Sequence, residues 1–221
     1  MGVIPEVSEK YVRSVLKTRN PDSRKGENGK VAIVGGGRLY HGAPFLSASA
    51  ALRCGVDILY LCVPQSITPA VRALSPNIIV VPRPDVKITI GAVNKFLKWI
   101  PKVDAIVVGP GLGRQRTDGS CKLVRELASD GVNVVLDADA LRTDIVNSVK
   151  GRDAVITPHT GEFNRLFGID VTTSMEKRID AVKKMASKSD VTILLKSRID
   201  VISDGTNVIL NRTGSPAMTA G

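Results

Sequence analysis

The chain has 221 residues, 43 % of them hydrophobic and 24 % charged, with a formal net charge of +10. That length and balance fit one soluble α/β domain and exclude disordered, collagen-like and coiled-coil classes. No run approaches the roughly 18 apolar residues of a membrane helix, so a cytoplasmic protein is expected.

In chain order, short β-branched runs alternate with amphipathic stretches. Val31–Val34, Val56–Leu61, Asn77–Val81, Val103–Val108, Val132–Leu136, Ala154–Ile156 and Val191–Leu195 read as strands. Their apolarity is continuous, not alternating, which implies burial on both faces, as in a parallel sheet covered by helices. Helices are predicted over Ala43–Arg53, Thr89–Ile100, Asp118–Ser129 and Met175–Lys188. Pro82-Arg83-Pro84 reads as a loop. Near the end, Ile199–Ser203 and Asn207–Asn211 flank Asp204-Gly205-Thr206, which suits an antiparallel hairpin. One domain over residues 1–221 is expected.

The net positive charge raises the local concentration of polyanions. Aromatic residues make up only 4 %, and no basic stripe is interleaved with them, so nucleotides are favoured over nucleic acid. Cys54, Cys62 and Cys121 are odd in number and lack zinc-like spacing, which predicts buried, reduced core thiols.

Five motifs could carry chemistry. Gly35-Gly36-Gly37-Arg38-Leu39-Tyr40-His41-Gly42-Ala43 leaves a strand and enters a helix, where glycines let backbone approach an anion. Tyr40 stands where a GxGxxG dinucleotide fingerprint requires its last glycine, and a turn needed only for packing explains the same residues. Gly109-Pro110-Gly111-Leu112-Gly113 repeats the arrangement after another strand, as a rigid cradle or a structural turn. Leu136-Asp137-Ala138-Asp139-Ala140-Leu141 ends a strand in two carboxylates; persisting strand geometry would turn both to one side, toward magnesium and phosphate, while Asp139 alone suits a helix cap. In Thr157-Pro158-His159-Thr160-Gly161-Glu162-Phe163, His159 precedes a helix start and either meets a ligand or holds the loop. Lys196-Ser197-Arg198-Ile199-Asp200 follows the last core strand, and its Lys196 suits a phosphate or simply a solvated strand end.

Taken together with LLKSRIDVISDG at 194–205 and NRTGSPAMTAG at 211–221, these motifs resemble the NAD(P)H-hydrate dehydratases over nearly the whole chain. The resemblance implies a three-layer ribokinase-like fold and an enzyme that uses ADP or ATP, with Mg2+, to remove water from hydrated NADH and NADPH. It implies that Ala43, Gly111, Gly113 and His159 contact the hydrated dinucleotide, and that Lys196, Ser197, Arg198, Ile199 and Asp200 form the adenine-nucleotide loop. Ser197 departs there from the family's usual Lys-Gly pattern. The resemblance also implies a homo-oligomer, and a GTGD turn past Thr219-Ala220-Gly221 whose aspartate is the catalytic base, so a longer native polypeptide is expected. A ribokinase-like small-molecule kinase, for example a relative of hydroxyethylthiazole kinase, and a nucleotide-binding protein without turnover are the competing readings.

Overall fold

A computed structural model describes residues 4–16, 18–85, 88–113, 118–172 and 174–219; Ala220 and Gly221, which end the last motif quoted above, lie outside them. The chain divides into two compact units, Asp22–Ala154 and Met1–Pro21 with Val155–Gly221.

In Asp22–Ala154 the strands are β1 (Lys30–Val34), β2 (Ile58–Pro64), β3 (Ile79–Arg83), β4 (Ala105–Val108) and β5 (Asn133–Leu136). Their order is β3-β2-β1-β4-β5, and every neighbouring pair is parallel. The continuous apolar runs do what the sequence predicts: Ala32, Ile33 and Val34 of β1 and Leu59 to Val63 of β2 are all buried. Helix α2 (Gly42–Arg53) packs on β1 and β2, and α5 (Asp118–Ser129) packs on β5 and on α4 (Ile90–Trp99). Ile33, Leu59, Leu61, Val71 and Val80 share one apolar cluster with Ala48 of α2. Burial of each large side chain in it stabilises the fold by roughly 1.5–3 kcal/mol.

In the other unit, β6 (Ala154–Ile156) and β7 (Thr192–Leu195) are parallel, whereas β8 (Asp200–Ser203) and β9 (Val208–Asn211) continue antiparallel, as the hairpin reading predicts. Helix α7 (Thr160–Phe167) follows β6, and α8 (Met175–Ser189) packs on β7 and β8. The outer edge of β9 is partnered by residues 5–7. Val7 donates to the Leu210 carbonyl at 2.8 Å, Leu210 donates to that of Pro5 at 3.0 Å, and Glu6 pairs with Arg212 at 2.7 Å.

The α/β class and mostly parallel sheet agree with the sequence, and several details differ. Pro82 and Arg83 belong to β3 and not to a loop; among the described residues β3 pairs only with β2, and an outer strand tolerates a residue with no N–H to donate. Three short helices, α1 (Glu9–Val15), α3 (Thr68–Arg72) and α6 (Thr143–Asn147), carry no periodic signal long enough to predict. Of the cysteines only Cys62 is buried; Cys121 is half-buried and Cys54 exposed, and all three are free thiols. No helix among the described residues is long and apolar enough to cross a membrane.

Candidate functional site

In Asp22–Ala154 the chain runs from β1 to β2 and β3 on one side, then places β4 and β5 on the other. The strand order therefore reverses between β1 and β4, the point at which open α/β sheets bind ligands beyond the strands' carboxyl ends. The turns Gly35–Gly37 and Gly109–Gly113 leave β1 and β4 at that edge, and they pack on each other. Gly36 N donates to Pro110 O at 2.8 Å and Gly109 N to Val34 O at 3.0 Å.

These contacts explain the glycines. A Cβ on Gly35 would collide with the Pro110 carbonyl, and one on Gly109 with the Asp137 carbonyl. Gly111, at φ +66, would place a Cβ 2.5 Å from Tyr40 O and 3.3 Å from Ala43 Cβ. Gly111 and Ala43, both named from sequence, are thus brought together, and the packing reading of the glycines holds alongside the ligand reading. Leu39 and Tyr40 are exposed, and His41, the N-cap of α2, makes no side-chain capping hydrogen bond. The first amides of α2, at Gly42 and Ala43, lie at the positive end of its dipole, a setting that favours phosphate.

Asp137 and Asp139 depart from the paired-carboxylate picture. Strand geometry ends at Leu136, because Ala138 turns to φ +50 and Ala138–Ala140 form a short 3₁₀ turn. Asp139 caps no α-helix either: α6 starts after Arg142. Its Oδ2 accepts from Gly113 N at 2.8 Å, which braces the second glycine turn. Among the described residues no three His, Cys, Asp or Glu side chains gather to hold a metal.

Sequence reasoning missed Arg83. This buried side chain donates through Nη2 to Gly36 O at 2.8 Å and Gly35 O at 3.5 Å, and through Nη1 to Pro84 O at 3.0 Å. No local motif announces a contact spanning 47 positions. Nearby, burial pushes the Cys62 thiol up to about 12, against the smaller opposing pull of the Arg83 charge. Cys62 is therefore a neutral thiol at physiological pH.

In the other unit His159 is the N-cap of α7. Its Nδ1 accepts from the amides of Gly161 and Glu162 at 3.0 and 3.3 Å, while the buried Glu162 accepts from His159 N at 2.8 Å. This is a capping box with imidazole in place of a hydroxyl. An accepting Nδ1 assigns the neutral ring's proton to Nε2, which lies 3.5 Å from Glu162 Oε1. The ring is half exposed, so its outer edge faces outward from a fixed tautomer.

Lys196 is tied to the same place, since Lys196 N donates to Pro158 O at 2.8 Å and Lys196 bridges to His159. The turn after it is braced internally. Ser197 Oγ donates to Ile199 O at 2.6 Å and accepts from Arg178 Nη1 at 2.9 Å; Asp200 accepts from Ser197 N and from Asn211 Nδ2 at 2.9 and 3.0 Å. Arg198 is exposed at the tip of this turn. Ser197 and Asp200 shape the loop, and Lys196 and Arg198 supply its positive charge.

The profile described as NAD(P)H-hydrate dehydratase matches residues 31–221. The chain is 45 % identical over 216 residues to the ADP-dependent (S)-NAD(P)H-hydrate dehydratase of Cenarchaeum symbiosum (strain A), covering 97 % of this chain and 75 % of that protein. It is 43 % identical over 211 residues to the protein of the same name from Nitrosopumilus maritimus (strain SCM1), covering 95 % and 74 %. Among solved structures it is similar to the ADP/ATP-dependent NAD(P)H-hydrate dehydratase of Bacillus subtilis co-crystallised with ATP and Mg2+, with a TM-score of 0.83 and 26 % identity over 100 % of this chain and 77 % of that one. The glycine turns, the braced loop after β7 and these similarities converge: this chain belongs to the NAD(P)H-hydrate dehydratase family.

Proposed function

We propose that the protein dehydrates hydrated NADH and NADPH at the expense of ADP. The observation that carries this reading is the pair of glycine turns packed together where the strand order reverses between β1 and β4. The relatives' names supply the substrate and the phosphoryl donor.

Hydroxide is a poor leaving group. The ring hydroxyl oxygen bonds to the terminal phosphorus of ADP as the bond to the AMP oxygen breaks. The ring nitrogen then pushes out the new phosphate ester, and loss of a proton from the adjacent ring carbon restores the dihydronicotinamide. The hydroxyl's own proton is left to the GTGD aspartate expected from the resemblance.

What this chain's residues do is bind and orient. In Asp22–Ala154, backbone at Gly111 and Gly113 with Ala43 at the α2 N-terminus suits the phosphates of a dinucleotide, and in the other unit the outer edge of His159 is open to a ligand. Lys196 and the turn through Asp200 hold the adenine nucleotide. Phosphoryl transfer depends mainly on such positioning and on charge stabilisation. Magnesium supplies charge neutralisation on the transferring group. A cytoplasmic homo-oligomer completes the proposal.

The test is incubation of the protein with ADP, magnesium and hydrated NADPH while the reduced-nicotinamide absorbance is followed. Return of that band together with AMP and phosphate supports dehydration. A phosphorylated product that never regains the band makes the protein a kinase, and binding of ADP without any turnover makes it a nucleotide-binding protein.

A further inference from the structure

A cavity of about 780 Å3 lies on the β3 side of Asp22–Ala154, lined by residues of β3 and α4. Its walls include Val81, Ile88, Val93, Phe96 and Trp99. Arg72, Arg83 and Lys95 also line it, and among the described residues no acidic side chain does. The volume is that of a small-molecule site, in which an apolar lining and a few polar groups fix the occupant.

The polar group that asks for a partner is Arg83. Its two Nη atoms are committed to Gly35, Gly36 and Pro84 carbonyls, and its Nε is buried with no hydrogen-bond partner among the described residues. The whole residue is 6 % exposed. A buried charged donor left unmade is costly, and native structures rarely keep one without a reason. Asp85 attracts the Arg83 charge, less strongly than burial opposes it. The Cys62 thiol stays protonated, and Asp85 is exposed and accepts from Ser66 N at 2.8 Å without forming an ion pair with Arg83. A cation at the base of an apolar cavity is complementary to an anion carried on an apolar body.

We infer that the cavity between β3 and α4 binds a small carboxylate with an aryl or alkyl body, the carboxylate drawn by the positive charge that Arg83, Arg72 and Lys95 bring to the lining and the body lying against Phe96 and Trp99. This site is separate in its lining from Gly35–Gly37 and Gly109–Gly113.

The protein carries its own reporter, because Trp99 is its single tryptophan and lines the cavity. It also stands edge-on to Tyr60, with ring centroids 5.8 Å apart. The experiment titrates the intact protein with 4-phenylbutyrate, 4-phenylbutanol and 4-phenylbutylamine and follows tryptophan emission. A saturable change is expected, with the carboxylate binding about tenfold or more tighter than the alcohol and the amine weakest. Arg83→Met is expected to reduce the preference for the carboxylate. Ala92→Phe, on the half-buried face of α4 that lines the cavity, is expected to abolish the response to all three probes. If Arg83→Met does not fold, the three-probe series on the unaltered protein and Ala92→Phe decide the matter. Equal binding of alcohol and carboxylate, no saturable response, or a response unchanged in Ala92→Phe overturns the inference. So does tryptophan emission that changes with protein concentration and not with probe, since that assigns the cavity to contact between copies of the chain.

Discussion

The two sets of turns are held in place by opposite means. Around Gly35–Gly37 and Gly109–Gly113 backbone meets backbone, and the architecture depends on side chains being absent. Around His159 and Lys196–Asp200 it depends on side chains being present: imidazole, carboxylate, hydroxyl and guanidinium each close a hydrogen bond. The difference teaches where each set is vulnerable. Adding one carbon should damage the first, whereas removing a few polar atoms should damage the second.

The largest effect is expected for Gly109→Ala. It combines φ +128 with a collision against the Asp137 carbonyl, and should lower stability by about 3 kcal/mol or more, roughly 6–12 °C in a thermal melt. A melt shifted by less than a degree would mean that the turn yields easily, and the contrast with the second set would fail. Next is Asp139→Ala, which leaves Gly113 N without its acceptor and should cost about 1–2 kcal/mol in denaturant titration. Asp139→Asn, which keeps an oxygen there, should recover most of that loss; if Asn behaves like Ala, the carboxylate's charge and not its hydrogen bond is what matters.

His159→Ala should cost about 1 kcal/mol through the lost cap. His159→Asn sharpens the point, because Asn caps well but lacks the ring edge. Native stability with a raised KM for the hydrated dinucleotide is expected, and an unchanged KM removes His159 from the binding surface. The smallest effect belongs to the exposed β8–β9 turn. There the Asn207 side chain, then the Asn207 and Thr206 amides, hold the Asp204 carboxyl down from 3.8 to about 2. A depressed carboxyl stabilises the fold above its unfolded value and stops doing so as pH falls through its folded one. The small difference in melting temperature between the native protein and Asp204→Ala should thus be constant above about pH 4 and shrink toward pH 2.

How much of this was legible in the sequence follows from how local each feature is. The strands were readable because a parallel sheet buried on both faces writes itself as unbroken apolar runs, and β6 was placed to the residue. The glycine turns were readable as motifs, but their reason, the close approach of Pro110 to Gly35 and of Tyr40 to Gly111, is tertiary. The two aspartates misled because spacing assumes a strand that Ala138 ends by turning to positive φ. Ser197 looked like a departure within a nucleotide loop, and its actual engagement by Arg178 lies 19 positions away. Arg83 was hidden twice, between two prolines that read as a loop and behind partners distant in sequence.

The lid that residues 5–7 place on β9 has a temporal side. Glu6 and Arg212 stand 206 positions apart, so at about 5–20 residues per second a ribosome makes one roughly 10–40 s before the other. Throughout that interval the earlier segment has no strand to join, and the later hairpin emerges with its rim already awaited. Residues 5–7 thus dock only once the hairpin exists, and a bulky fusion ahead of Pro5 would act as a doorstop on the closing step.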